Sequence, residues 1–340
     1  MADIARDYWK SLLYVDSIVD MKIDMNDCIH CHKCRDNCAF LSKYGLDICD
    51  TDQLKELAYH CFLCGKCTQV CPVKIDGRAI MIDLRREAAA ADEAGIRKTF
   101  GGILAEKEHY KFRNYKHITS GTVFFPGCNF PSMYPKTNAL MSKLFADRGI
   151  GTVYDCCGKP VAETGLIAEE NRIISEISQK MKDAGVTEII LACPNCRDFF
   201  GDRLGIKVTS VYAKLAELGL GNLIDGDKQF FVPCPDRMSR MWIEDIRPFI
   251  SGEITFIDGP QCCGLGGQAQ QCEKEIAASF PAVLGDSYEG YAYTYCASCV
   301  GRFKRSGQKT IEHILPAIMN TGEKADTLKS YANRVMTRYK

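Results

Sequence analysis

The chain has 340 residues, 20 of them cysteine, and its 43 basic and 43 acidic side chains cancel to a formal net charge of zero. With that balance, nothing argues for nucleic acid or an anionic membrane surface as a partner. The apolar fraction of 46% and charged fraction of 25% are those of a globular chain with room for about two or three cored domains, and the length excludes a small disulfide scaffold.

The first residues, MADIARDYWKSLLYVDSIVD, have no basic segment ahead of an apolar core and no twin-arginine signal. No window approaches about eighteen apolar residues. The expectation is a cytoplasmic chain with no membrane span, its thiols kept reduced, and any membrane link made through a partner. Ile4, Trp9, Leu12, Leu13 and Ile18 recur at helical spacing, which predicts a helix over 1–22 packed on the domain that follows.

Two runs come next, CIHCHKCRDNC at 28–38 and CFLCGKCTQVCP at 61–72, each with the spacing C-x2-C-x2-C-x3-C. This is the bacterial ferredoxin run for cubane [4Fe–4S] clusters, in which the fourth cysteine of each run ligates the other cluster. Two-residue gaps let a tight loop wrap three thiolates around three cube corners. Cys28, Cys31, Cys34 and Cys71 are expected to hold one cubane, and Cys61, Cys64, Cys67 and Cys38 the second. Buried free cysteines or zinc are the bland alternatives. His30, His32 and His60 flank complete cysteine sets, so tuning or plain exposure is expected of them rather than ligation. Thr51 or Asp52 reads as the N-cap of a helix between the runs, and RAIMIDLRREAAAADEA as a helix after them. The first domain is therefore expected to be mainly helical, with 95–119 as a charged, glycine-containing connector.

From 120 onward the chain repeats. GTVFFPGC at 121–128 answers to KQFFVPCP at 228–235, TVYDCCGK at 152–159 to GPQCCGLGG at 259–267, and IILACPNC at 189–196 to YAYTYCASC at 291–299. Cys128 and Cys234, Cys156 and Cys262, and Cys157 and Cys263 are offset by 106; Cys193 and Cys296, and Cys196 and Cys299, by 103. Shared offsets mark an internal repeat. Apolar strands alternate with helical stretches such as NRIISEISQKMKDAG, the pattern of parallel βαβ units, whose sites gather at the carboxyl ends of strands. The fold expectation is α+β and multidomain: a mainly helical two-cluster ferredoxin-type domain with connector over 1–118, then a duplicated α/β region divided into 119–230 and 231–340.

Each half offers five thiols, one more than a cubane or a zinc ion takes. Zinc in one half, vicinal disulfides at Cys156–Cys157 and Cys262–Cys263, and thioredoxin-like dithiols compete with iron–sulfur binding here. CCGLGG lacks the spacing of a dinucleotide fingerprint, and nothing points to a flavin on this chain. Cys49 and Cys272 lie outside every motif and read as buried small hydrophobes. Lys159, Arg197, Arg237, Arg240 and Arg302 flank the cysteine loops, to neutralise a cluster or to bind an anionic substrate. His313 reads as the opening of the last helix, an ordinary helix histidine or a proton donor; Trp9 and Trp242 read as core or interface.

The repeated pattern resembles the CCG repeat of the catalytic subunit of heterodisulfide reductases, and the ferredoxin part resembles their small cubane-binding subunit, here fused over nearly the whole chain. The resemblance implies two non-cubane [4Fe–4S] clusters, one on Cys128, Cys156, Cys157, Cys193 and Cys196, the other on Cys234, Cys262, Cys263, Cys296 and Cys299. It implies an oxidoreductase: an electron-transfer and catalytic subunit of a multi-subunit complex, fed by a flavin-containing or other redox partner and reducing a disulfide. No catalytic residue is expected beyond the cluster ligands. The same domain serves hydroxyacid and succinate oxidation systems, and a non-catalytic conduit between a flavoprotein or dehydrogenase and a quinone or other redox subunit is the competing function. CPDR at 234–237 departs from the histidine expected after the cysteine in many relatives, which bears on the substrate contacts.

Overall fold

A computed structural model of the chain describes residues 27–257, 259–284 and 291–340. The helix predicted over 1–22, with Trp9, lies outside the described residues. From Lys33 to Lys107 the described chain is helical: short helices Lys33–Asp36, Ala39–Tyr44, Thr51–Lys55 and Lys66–Val70, then Gly77–Ala91, Glu93–Thr99 and Gly101–Lys107. The helix from Thr51 has Asp50 at its cap position, one residue before the expected cap, with a carboxylate that accepts from Asp47 N at 2.7 Å. Asp76 caps Gly77–Ala91 by accepting from Arg78 N and Ala79 N at 3.0 and 3.1 Å. Ile80, Met81 and Leu84 form the buried face of this helix.

The two cysteine runs fold alike. His30 and Leu63 have φ of 48° and 50°, and His32 and Gly65 have 59° and 69°. Each pair occupies the same position in its run, so both loops use left-handed backbone twice in three residues. Three of the four residues are not glycine. Such strain persists only where the surroundings over-determine it, and here it curls each loop around its own cysteines.

Two sheets follow. The first contains β1 (Asn114–His117), β2 (Gly121–Phe125), β3 (Gly151–Tyr154), β4 (Val186–Leu191) and β5 (Lys207–Ser210), in the order β1-β3-β2-β4-β5. Only β1 runs antiparallel, along β3. The second contains β6 (Lys228–Phe230), β7 (Ile254–Phe256), β8 (Ala292–Thr294) and β9 (Ile311–His313), all parallel, in the order β7-β6-β8-β9. Omitting β1, both sheets run second–first–third–fourth. The central strands of the first are sealed on both faces: Val123, Phe124, Phe125, Ile189, Ile190 and Leu191 are all fully buried, as a continuous apolar run in a covered parallel sheet requires.

Two expectations change here. The span 95–119 is not a plain connector, because it forms two helices and the edge strand β1. His313 ends β9 rather than opening a helix, and it is buried against Phe130 and Tyr134, with ring centroids 5.0 and 5.5 Å away. Trp242 is core, stacked on Tyr295 at 6.0 Å.

The helical part docks on both halves. Arg85, fully buried, donates to the carbonyls of Ala58, Cys61, Glu163 and Gly267 at 2.9, 2.7, 2.6 and 2.9 Å, so one guanidinium joins all three regions. Glu273, also buried, accepts from Lys43 Nζ and Tyr44 OH at 2.7 Å each and lies 2.7 Å from His60 Nδ1. Arg78 grips Asp198 with two nitrogens, at 3.2 and 2.7 Å. This docking sets the cysteine loops against the carboxyl ends of the strands.

Candidate metal centre

The structure brings Cys28, Cys34 and Cys71 together, while Cys31 of the same expected set is exposed. Ile48 N donates to Cys34 Sγ at 3.5 Å and Ile75 N to Cys71 Sγ at 3.4 Å. Asp47 accepts from Cys34 Sγ at 3.5 Å and pairs with His32 Nδ1 at 2.7 Å, which puts His32 behind the thiols rather than among them. Cys49, set aside on sequence grounds, packs here: burial, then contact with Cys28, pushes its thiol up to about 12, and Cys34 and Cys71 lie close. Cys272 stays apart and exposed.

Cys38 stands with Cys61, Cys64 and Cys67; burial first, then these neighbouring thiols, raises Cys67 well above its ordinary range. Leu63 N donates to Cys61 Sγ at 3.3 Å. The fourth cysteine of each run has thus crossed to the other run's thiols. The third cysteine of each run, Cys34 or Cys67, lies in the short helix that follows the loop, and the fourth, Cys38 or Cys71, lies beyond that helix.

The ten remaining thiols form two chains of sulfur-to-sulfur contacts. In the first half the order is Cys128, Cys156, Cys157, Cys196, Cys193. In the second it is Cys234, Cys262, Cys263, Cys299, Cys296. Equivalent positions follow in the same sequence. The thiols are linked pairwise rather than drawn to a point: among the described residues no three ligand-type side chains close on a volume the size of one ion. Contact with Cys156, then with Cys196, holds the Cys157 thiol down at about 6 despite its burial. Gly158 and Gly264 follow the paired cysteines with φ of 93° and 83°, and a Cβ would lie 2.7 Å from Ile173 in the first case and 2.8 Å from the Ala277 carbonyl in the second. Only glycine turns the backbone there.

Both chains of thiols open on one cavity of about 310 Å³. Nine of the ten line it; the tenth, Cys262, faces Cys64 instead. The halves are stitched across it by Asn195 Nδ2 to Cys296 Sγ at 3.4 Å and by Asn129 Nδ2 to Ser298 Oγ at 2.7 Å. Lys107, Lys159, Arg305 and Arg334 bring positive charge to the wall, against Glu163 and against Glu106, which pairs with Lys107 at 2.8 Å and with Arg334. Burial opposes the charge on Lys107, yet Cys128 and Cys156 raise its pKa on balance. Lys159 is held by Asn195 Oδ1 at 3.0 Å and Asp198 Oδ2 at 2.9 Å.

Arg237 lies beside Cys64, Cys234 and Cys262, and Arg302 beside Cys263. Arg197 reaches Met241 Sδ at 3.5 Å and Arg240 stacks on Phe256 at 4.3 Å, so neither meets the cavity wall. Sequence reasoning missed Lys107, Arg334, Asn195 and Gln261. Asn195, inside the C-x2-C loop, and Gln261, immediately before the paired cysteines, carried a local signal.

Buried donors test whether iron–sulfur groups suit these thiols. Arg237 Nη1, Arg302 Nε, Arg334 Nε and the Tyr212 hydroxyl are buried with no acceptor among the described residues. Tyr212 faces Cys296 and Cys193. Buried donors left open are costly unless an acceptor completes them. Bridging sulfides and thiolates are such acceptors, and their negative charge matches the surrounding cations. The residues fit the group.

Residues 122–201 match the model of the CCG cysteine-rich domain. The chain is 23% identical over 319 residues to one of the subunits of the fumarate reductase (CoM/CoB) of Methanothermobacter marburgensis, a match covering 75% of this chain and 62% of that protein. It is 22% identical over 342 residues to an uncharacterized iron–sulfur protein of Methanococcus maripaludis, covering 84% of this chain and 68% of the relative. A similar protein of Methanocaldococcus jannaschii is also 22% identical, with coverages of 87% and 71%. The chain thus spans less than two thirds of the length of the first of these relatives. Among the described residues no helix is long and apolar enough to cross a membrane.

Proposed function

We propose, from the premise that this chain belongs to the heterodisulfide-reductase-like iron–sulfur proteins carrying the CCG cysteine-rich domain, that it is an electron-transfer and catalytic subunit which reduces a disulfide. Residues 1–118 act as the ferredoxin-type domain, and 119–230 and 231–340 as two CCG repeats. Cys28, Cys31, Cys34 and Cys71, and Cys61, Cys64, Cys67 and Cys38, are the cubane ligands. The five thiols of each half are the ligands of a non-cubane cluster. A relative is itself a reductase subunit, so a flavin-containing or other redox subunit is proposed as the electron source.

The shared cavity carries this reading. Two equivalent thiol sets face one basic space, and a disulfide has two equivalent sulfurs. Cleaving it breaks one S–S bond, and each sulfur gains one electron and one proton. Bound clusters would supply electrons singly and iron as a Lewis acid for thiolate sulfur. The chain's own residues do the rest. Lys107 and Arg334 balance negative charge beside Cys128, Lys159 is fixed by Asn195 and Asp198 to meet an anionic group, and Asn129 and Asn195 hold the two halves at a constant separation.

Iron and acid-labile sulfide counts on anaerobic protein, followed by electron paramagnetic resonance with a disulfide and a reductant, test it. Four clusters predict about sixteen irons per chain and a change in the non-cubane signals when disulfide is added. About eight irons, or signals indifferent to disulfide, would overturn the proposal, the latter in favour of a conduit.

A further inference from the structure

Gln261 immediately precedes the paired cysteines of the second half, yet its side chain reaches out of that half. Its Nε2 lies 3.4 Å from Cys38 Sγ and 3.4 Å from Cys64 Sγ, and its Oε1 accepts from Ala39 N at 2.9 Å. The backbone carbonyl of Gln261 is held by Arg237 Nη2. The amide has only one workable orientation. Turning it over would set an oxygen against two sulfurs and an NH2 against a backbone N–H, losing every bond at once. The donor end therefore points at the thiols. Beyond it, Cys64 touches Cys262.

The repeat supplies an internal control. Asp155 stands at the equivalent place in the first half, 106 residues earlier. Its carboxylate accepts from Tyr115 OH at 2.8 Å and from Cys156 N at 2.7 Å, both on its own side of the molecule. Where one half has an acceptor turned inward, the other has a donor turned toward the ferredoxin-type domain.

We propose that Gln261 sets the reduction potential of the cluster held by Cys38, Cys61, Cys64 and Cys67, through two N–H···S bonds made across the boundary with the second half. The inference rests on the ligand sets proposed above. Hydrogen bonds to ligand sulfur draw off negative charge, which favours the reduced, more negative cluster and raises its potential. Because the donor belongs to the residue beside Cys262, the same contact holds this cluster against the second half's thiols. Gln261 is a positioning residue: it touches ligands and no substrate.

Redox titration of the full chain, followed by electron paramagnetic resonance, tests this with two variants. Gln261→Glu keeps the oxygen that Ala39 N–H requires, removes the donor and sets a carboxylate charge beside the two sulfurs. Gln261→Met removes the amide without adding charge, and it decides the matter where the glutamate variant sheds iron. The expected result is a negative shift of one cubane midpoint, larger for Glu than for Met, with the other cubane's midpoint and the iron content unchanged. A Met variant with full iron and both midpoints unmoved would overturn the inference and leave the proposed function standing. Wild-type protein with no cubane signal would bring down both.

Discussion

The two halves of the α/β region are near copies in cage and unlike in surroundings. Both sheets place their shared strands in one order, both thiol chains follow one sequence, and both glycines after the paired cysteines take the same left-handed turn. The neighbours differ. The second half meets the cysteine runs of the helical part through Gln261 and the contact of Cys64 with Cys262. The first half is met by Lys107, from the helical part, and by Arg334, from the last helix of the chain, and is extended by the antiparallel strand β1. Duplication copied what local backbone determines, whereas the elements around it set one copy against the thiols of the helical part and the other against basic residues.

The sharpest way to break this comparison is to remove one cage at a time. Cys157→Ser and Cys263→Ser replace equivalent sulfurs. If the cages are equivalent and independent, each variant loses about four irons per chain and keeps the rest. Iron analysis of the two proteins, prepared anaerobically side by side, checks it. Loss of all iron from both halves in either variant would mean that the cages assemble as one unit.

Arg85 is the contact the halves share, through the carbonyls of Glu163 and Gly267. Arg85→Met takes the donor from four carbonyls, two in buried bonds and two in part-buried ones, and a buried carbonyl left without a donor costs about 1–3 kcal/mol. Partial relief by water and by relaxation leaves an expected loss of about 4 kcal/mol or more. Urea unfolding should show that loss, together with early release of the helical part from both halves.

How much of this was legible beforehand follows from the range of each interaction. The cysteine runs, the strand ends and the repeat offsets were readable because each is fixed within a dozen residues by loop length and alternation. Gln261, Lys107 and Arg85 were not: the side-chain partners of Gln261 lie 197 to 223 positions away and those of Arg85 24 to 182, and Lys107 meets Cys128 and Cys156 from outside the cysteine motifs. Nothing local separates Lys107 and Arg85 from ordinary polar residues. His313 was misplaced for another reason. IEHILPAIM is apolar at helical and strand spacing alike, and only pairing with β8 makes its first three residues a strand. Cys49 looked idle because no spacing rule includes a thiol that arrives from between two motifs.

The glycine pair sharpens the comparison at smaller scale. Gly158→Ala and Gly264→Ala each force a left-handed φ on a residue with a Cβ, which costs about 2 kcal/mol. The neighbours then decide the difference. Ile173, a side chain, can shift, but the Ala277 carbonyl is backbone and cannot. Gly264→Ala should therefore lower the thermal midpoint more than Gly158→Ala. Equal shifts would show that backbone conformation alone governs both sites.

The last strands of the two sheets give the smallest effect and the cleanest sign. Ser210 and His313 end β5 and β9, 103 positions apart, and each accepts from a nearby backbone N–H: Ser210 Oγ from Ala213 N at 3.1 Å, His313 Nδ1 from Leu315 N at 3.2 Å. Only the second can titrate. Burial holds His313 down at about 3, and the Tyr295 backbone pulls weakly the other way. The unfolded chain, with an ordinary imidazole near pH 6.5, binds the proton first. Stability from this group is complete above that value and falls as pH drops towards 3, because the folded state must stay neutral while the unfolded state gains charge. One unit below the unfolded value, the loss is about 1.4 kcal/mol. His313→Ser copies the first half's residue and removes the titration. Whatever the variant loses in absolute stability, its urea midpoint should fall less steeply than the wild type's between about pH 7.5 and 5.5. Parallel slopes would mean that the imidazole is protonated in the fold and that the two strand ends behave alike after all.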